Sequence, residues 1–196
     1  MEKIIFATKN PGKIREVNNI LNNSSFEIVS LLELSNVPEI IEDGFTFEEN
    51  ARKKAEIIFK TFRIPSIADD SGLAVEQLDG RPGVFSARYA GENASDEENN
   101  EKLIRVLNNF SEPHHAMFIC SAVYFDGNKF LTADGKVKGR IIMKPRGENG
   151  FGYDPLFLPD GFKLTSGELS LEEKNKISHR ALAFNKLIKL IMQSPE

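Results

Sequence analysis

Ile67-Ala68-Asp69-Asp70-Ser71-Gly72-Leu73-Ala74-Val75 decides how the rest of the chain is read: an apolar run carries two adjacent carboxylates into its own end. The spacing predicts a strand, a turn at Ser71-Gly72, and then a second strand. Carboxylates are costly to bury unless they are paired or hold a metal, so two at the mouth of a core strand point to a hard cation or to turn amides. If strand geometry persists through both, Asp69 and Asp70 face opposite sides, one toward a cleft and the other toward the turn. The residues alone do not choose between them.

Upstream, Ile4 to Ala7 is a short apolar run that opens into Thr8-Lys9-Asn10-Pro11-Gly12-Lys13, and Ile14, Val17, Ile20 and Leu21 then recur at helical spacing. Strand, polar Gly/Pro loop and helix start in that order present free amides and the positive dipole end to an anion, with Lys13 adding a point charge. The spacing is not that of a Walker A loop. Phe26 to Leu32 is predicted to be a second strand. Thr46-Phe47-Glu48-Glu49 is a capping box, and Phe47, Ala51, Ala55, Ile58 and Phe62 predict a helix near residues 47–62. Glu42 lies just ahead of it, in a loop able to lean toward Asp69-Asp70, while Arg52, Lys53 and Lys54 lie on the opposite face, expected to be solvated, from which one can still reach a phosphate.

Downstream, Ser95-Asp96-Glu97-Glu98 starts another helix, with Leu103, Val106, Leu107 and Phe110 on its core side. Ala116 to Phe125 and Lys129 to Val137 flank Asp126-Gly127-Asn128, a hairpin signal. His114 and His115, beside Pro113, are read as surface residues rather than ligands. Gly150-Phe151-Gly152-Tyr153-Asp154-Pro155 combines a permissive backbone with rings able to stack on a base. Ser170-Leu171-Glu172-Glu173 caps a short helical turn, and Ser178-His179-Arg180 opens the last helix, where a basic pair opposes the macrodipole and is better explained by recognition of a carbonyl or phosphate oxygen.

A chain of 196 residues suits one domain, or one domain of two lobes around a cleft. Its net charge of −4, with no long block of like charge, offers no bulk attraction to nucleic acid or to an anionic membrane. Cys120, the single cysteine, excludes an intrachain disulfide and is expected to be buried, as in a reducing compartment. No signal peptide or spanning run is seen, so a cytoplasmic location is expected.

Together these segments resemble the inosine/xanthosine triphosphate pyrophosphatases, which remove noncanonical purine nucleotides. The resemblance rests on residues 7–13, Glu42-Asp43-Gly44 with residues 46–51, Ala68 to Leu73, Pro82 to Tyr89, Gly150 to Pro155 and Lys176 to Arg180, in the family's order. It implies an α/β fold with a long, mixed, twisted sheet and two lobes around a central cleft, in a single domain over 1–196 and as a homodimer. The implied reaction is hydrolysis of ITP, dITP or XTP to the monophosphate and pyrophosphate with Mg²⁺. Carried residue by residue, Thr8, Lys9, Asn10, Pro11, Gly12 and Lys13 hold the triphosphate with Lys54. Glu42 and Asp70 hold the metal, Asp70 also taking a proton from the attacking water, and Asp69 lies behind. Ser71 contacts substrate, Phe151 stacks on the base, and Gly152, Tyr153, Asp154, Lys174, His179 and Arg180 bind or enclose it. The other classes weighed are a pyrophosphatase of the septum-inhibitor type, disfavoured by the Phe151 loop and Ser178-His179-Arg180, and a non-enzymatic nucleotide sensor, disfavoured by Glu42 and Asp70.

Overall fold

The computed structural model describes residues 2–22 and 24–193. Its strands are β1 (Glu2–Phe6), β2 (Phe26–Ser30), β3 (Ser66–Val75), β4 (His114–Phe125), β5 (Phe130–Ile141) and β6 (Phe157–Pro159); its helices are α1 (Pro11–Ile20), α2 (Phe47–Phe62), α3 (Asp96–Leu107), α4 (Leu171–Ile177) and α5 (His179–Gln193). The strands form one sheet in the order β2-β1-β3-β4-β5-β6. β1 is parallel to both β2 and β3, with Ile4 opposite Ile28 and Phe6 opposite Ile67, whereas β5 and β6 are antiparallel. β4 and β5 are neighbours joined by only Asp126 to Lys129, a connection too short for a parallel crossover, so the sheet is mixed. No helix among the described residues is long and apolar enough to cross a membrane.

The chain divides into two compact units. The first contains Met1–Asp70, Cys120–Gly135 and His179–Glu196, and the second Ser71–Ile119 and Lys136–Ser178. In the first unit the two-residue period of the strands sorts side chains into separate cores. Ile4, Phe6, Ile67 and Cys120 pack with Val17 of α1 and Ala183, Phe184 and Leu187 of α5. Ile5, Ala7, Ala68 and Val123 pack with Ala51, Ala55 and Ile58 of α2. Strands covered on both faces need no polar alternation, which is why Ile4-Ile5-Phe6 of β1 and Ile67-Ala68 of β3 read as apolar runs.

The expected turn at Ser71-Gly72 is not present: β3 runs unbroken from Ser66 to Val75. Burial on nearly every position of the strand outweighs the local turn preference of Ser-Gly, and both small residues fit an extended backbone. The second strand is also shorter than expected. It ends at Ser30, because the Glu33 carboxylate accepts from the Ser30 N–H at 2.8 Å and from its hydroxyl at 2.7 Å and winds Leu31–Glu33 into a 3₁₀ turn. The α2 expectation holds to the residue, with Thr46 and Glu49 capping reciprocally. The hairpin also forms, Asp126 Oδ1 accepting from the amides of Asn128 and Lys129 at 2.8 and 2.9 Å.

In the second unit Leu103 and Leu107 of α3 pack with Leu73, Val75, Phe118, Tyr153 and Phe157. His114 is a correction to the sequence reading. It is the first residue of β4, buried, with Nδ1 2.6 Å from the side-chain oxygen of Gln77, while His115 is exposed. Strand alternation turns one histidine in and the next out, which a reading that treated the pair as one polar loop misses.

Candidate active site

The loop after β1 is built by its own side chains. Thr8 Oγ1 accepts from the Asn10 amide at 3.2 Å, and Asn10 caps α1 by accepting from the Lys13 amide at 3.1 Å. Pro11 occupies the first helical turn, where its missing N–H costs nothing. Gly12 is buried and Lys9 is exposed. Lys13 folds back across the helix start, its ammonium 3.0 Å from Asp69 Oδ2 and 3.4 Å from the Asp69 carbonyl.

Asp69 and Asp70 point to opposite faces of β3, each into its own set of partners. On the α1/α5 face, Asp69 Oδ2 also receives Nε of Arg180 at 3.1 Å, and the Arg180 guanidinium bonds to Glu16 of α1 as well. Asp69, Glu16 and Arg180 are all nearly inaccessible. Burial alone would raise the Asp69 carboxyl, but Lys13 and Arg180 hold it well below the usual carboxylate range. The Cys120 thiol lies 3.8 Å from Asp69 Oδ2, and burial pushes its pKa up, with the Asp69 charge adding to the effect. Cys120 is therefore an inert, packed thiol, as its apolar context suggests. Asp69 Oδ1 is buried and has no hydrogen-bond donor among the described residues.

On the α2 face, Asp70 Oδ2 accepts from Asn50 Nδ2 at 2.9 Å. The Asn50 side-chain oxygen accepts from the Gly44 amide at 2.8 Å, so one buried amide ties the strand end to the loop that carries Glu42. Gly44 is small of necessity: a Cβ there would sit 2.7 Å from Asn50 Oδ1 and 2.9 Å from Glu49 Cβ. One helical turn beyond Asn50, the Lys54 ammonium is 2.9 Å from Glu42 Oε2 and 3.9 Å from Asp70 Oδ1. Glu42 thus leans toward Asp70 as expected, and Lys54 is buried, unlike Lys53, which pairs at the surface with Asp43 at 2.6 Å. Burial pushes the Lys54 ammonium down in pKa, and the Asp70 and Glu42 carboxylates more than reverse it. Burial raises the Asp70 carboxyl; Lys54 opposes that and Glu42 reinforces it.

In the second unit, the Phe151 loop is clamped from several directions. Asp154 Oδ2 accepts from the Phe151 amide at 2.8 Å and pairs with the buried Lys174 ammonium at 2.5 Å. Lys174 also lies 5.1 Å from the Phe151 ring centre. Gly152, at φ +61°, donates its N–H to Asp96 at 2.6 Å and accepts from Asn100 at 3.0 Å, both on α3. Tyr153, expected to meet substrate, instead points into the core of this unit and donates its hydroxyl to the Ser86 carbonyl at 2.9 Å. Ser71 is half-buried in β3, and His179 is buried at the start of α5.

Lys13, Asp69 and Arg180 are brought together, as are Glu42, Lys54 and Asp70, and, separately, Phe151, Asp154 and Lys174. Glu16 and Asn50 were not singled out in the sequence. Each is a polar residue on a helix face that otherwise packs inward, which is the signal that would have found them. Among the described residues no three His, Cys, Asp or Glu side chains gather into a metal cage. The set on the α2 face is instead two oxygen donors sharing one ammonium.

A family model for the Ham1 family matches residues 4–190. The dITP/XTP pyrophosphatase of Geobacter sulfurreducens is 49% identical over 185 residues, 93% of each chain, and that of Bacillus subtilis is 48% identical over 97% of this chain and 98% of its own. Among solved structures, a HAM1 protein from Coxiella burnetii superposes with a TM-score of 0.89 at 37% identity, over 99% of this chain and all of its own. The Staphylococcus aureus Ham1 protein gives 0.86 at 41% identity, over 97% of this chain and 98% of its own.

Proposed function

The chain belongs to the Ham1 family, and from that membership and the carboxylate–lysine cluster on α2 and β3 we propose that it is a nucleoside triphosphate pyrophosphatase acting on noncanonical purines, ITP, dITP and XTP. The products are the nucleoside monophosphate and pyrophosphate. The observation that carries the reading is the placement of Lys54 between Glu42 and Asp70, with Asn50 fixing Asp70.

Phosphoryl transfer needs little covalent chemistry from a protein and a great deal of positioning and charge neutralisation. In this proposal the loop from Thr8 to Gly12 at the start of α1, together with Lys13 and Lys54, holds the triphosphate oxygens. Asp70 accepts a proton from the water that attacks the α-phosphorus, and the bond to the bridging α–β oxygen breaks as pyrophosphate leaves. Glu42 and Asp70 suit a hard cation: both are oxygen donors, and together they carry one more negative charge than the Lys54 ammonium cancels. They are assigned to hold Mg²⁺, which when bound neutralises charge developing on the phosphate oxygens. Phe151 is assigned to stack on the base, with Asp154 and Lys174 holding its loop. Ser71, Gly152, His179 and Arg180 are assigned to contact the nucleotide. A 6-oxo purine offers an acceptor where adenine offers a donor, so donors at His179 and Arg180 favour inosine and xanthosine. A homodimer and a cytoplasmic location are further parts of the proposal, resting on the family resemblance and on the unpaired, buried Cys120 thiol.

The test is pyrophosphate release from the triphosphates of inosine, xanthosine, adenosine, guanosine and thymidine at equal concentration with Mg²⁺. A strong preference for the first two, with pyrophosphate rather than phosphate as product, is expected. Equal rates on all five would remove the base assignments while keeping the phosphate site, and absence of turnover would refute the enzyme.

A further inference from the structure

Asp69 has no part in the metal and proton chemistry assigned to its neighbour, because β3 turns it to the opposite face. It nevertheless binds two groups of the proposed nucleotide site, and it does so asymmetrically. Lys13 and Arg180 both converge on Oδ2, at 3.0 and 3.1 Å, while Oδ1 is buried with no donor among the described residues. The Lys13 ammonium also lies 3.4 Å from the Asp69 carbonyl, so one residue anchors it at two points, and the Arg180 guanidinium, itself held by Glu16, fixes that carboxylate from behind. The arrangement holds the flexible Lys13 arm in one place beside the helix start.

We propose that Asp69 is a positioning residue: by holding the Lys13 ammonium of the phosphate loop on the oxygen it shares with the buried Arg180 guanidinium of α5, it fixes the placement in which Lys13 meets a nucleoside triphosphate. The inference rests on the pyrophosphatase reading. Lys13 arrives preorganised, so its contact with phosphate costs less ordering, and the gain appears in binding rather than in the chemical step.

The experiment is Asp69→Asn, Lys13→Met and the double variant, assayed for KM and kcat on ITP with Mg²⁺, for inorganic tripolyphosphate affinity by calorimetry, and for Tm. Asp69→Asn should raise KM and the tripolyphosphate Kd about ten- to hundredfold, the scale of a lost charge-assisted hydrogen bond, with kcat within about threefold of wild type. In the Lys13→Met background it should have no further effect on tripolyphosphate affinity. A fall in kcat at unchanged KM and Kd would overturn the proposal by placing Asp69 on the reacting atoms. A lower Tm with all three constants unchanged would overturn it in favour of a purely structural role. If Asp69→Asn does not fold, the double variant removes the buried ammonium along with its partner, and any loss of tripolyphosphate affinity beyond that of Lys13→Met refutes the inference. Turnover by the wild-type protein tests the pyrophosphatase reading separately.

Discussion

Asn50→Ala removes a side chain that does two jobs with one amide. Its Nδ2 donates to the buried Asp70 carboxylate and its Oδ1 accepts from the Gly44 amide, at 2.9 and 2.8 Å. A hydrogen bond to a charged group contributes about 1.5–3 kcal/mol and a neutral one about 0.5–1.5 kcal/mol, so the pair is worth roughly 2–4 kcal/mol. For a chain of this size that corresponds to a fall in Tm of about 5–15 °C. Turnover should fall as well, because Asp70 loses its anchor and the loop bearing Glu42 loses its tie to α2. The assay is thermal and urea unfolding of wild type and variant without added metal, followed by steady-state kinetics on ITP with Mg²⁺. Lys53→Ala, on the same helix, removes only a surface pair with Asp43 and serves as the control, with no measurable change expected. Asn50→Asp, nearly isosteric, should destabilise without metal because it sets a second carboxylate against Asp70. An Asn50→Ala protein within about 0.5 kcal/mol of wild type and fully active would show that neither hydrogen bond constrains the site.

Asp70→Asn is expected to abolish turnover while leaving tripolyphosphate binding measurable by calorimetry; an active variant would remove Asp70 from its assigned role. Gly135→Ala should cost about 1–3 kcal/mol in urea unfolding, because a Cβ at this point of β5 would collide with the His179 carbonyl and the Ala183 amide at the start of α5. Wild-type stability in that variant would mean that α5 can be displaced freely. Phe151→Ala should raise KM and compress the ratio of ITP to ATP efficiency, and an unchanged ratio would move base recognition elsewhere on the chain.

Helix starts were the most legible part of the fold. Each of Thr46/Glu49, Ser95/Glu98 and Ser170/Glu173 closes a reciprocal capping box, since that pattern is a local hydrogen-bond geometry written in four consecutive residues. Features set by burial were harder to read. Ser71-Gly72 has turn chemistry but lies in a strand covered on both faces, and His114 sits one residue from an exposed histidine yet is buried against Gln77. Glu42 and Asp70 both lie beside Lys54, a proximity across the chain that no local pattern shows, while Asp69 could not be told from Asp70 without knowing that the strand continues. Tyr153 and Phe151 looked equivalent in a Gly-rich loop; only the packing shows one ring in the core and the other beside Lys174. Glu16 and Asn50 escaped notice because their partners, Arg180 and Asp70, are distant along the chain.

The passage of β3 through Asp69 and Asp70 without a bend makes the strand a partition wall. Two residues joined by one peptide bond live in different neighbourhoods, one among cations from α1 and α5, the other between α2 and the Glu42 loop. Single-residue insertions or deletions upstream in β3 are therefore a different hazard from substitutions: a shift by one position would deliver each carboxylate to the other's room and invert every core contact of the strand together. Divergence of this chain is thus held to a fixed length along β3, and drift in length belongs to the connections outside the wall.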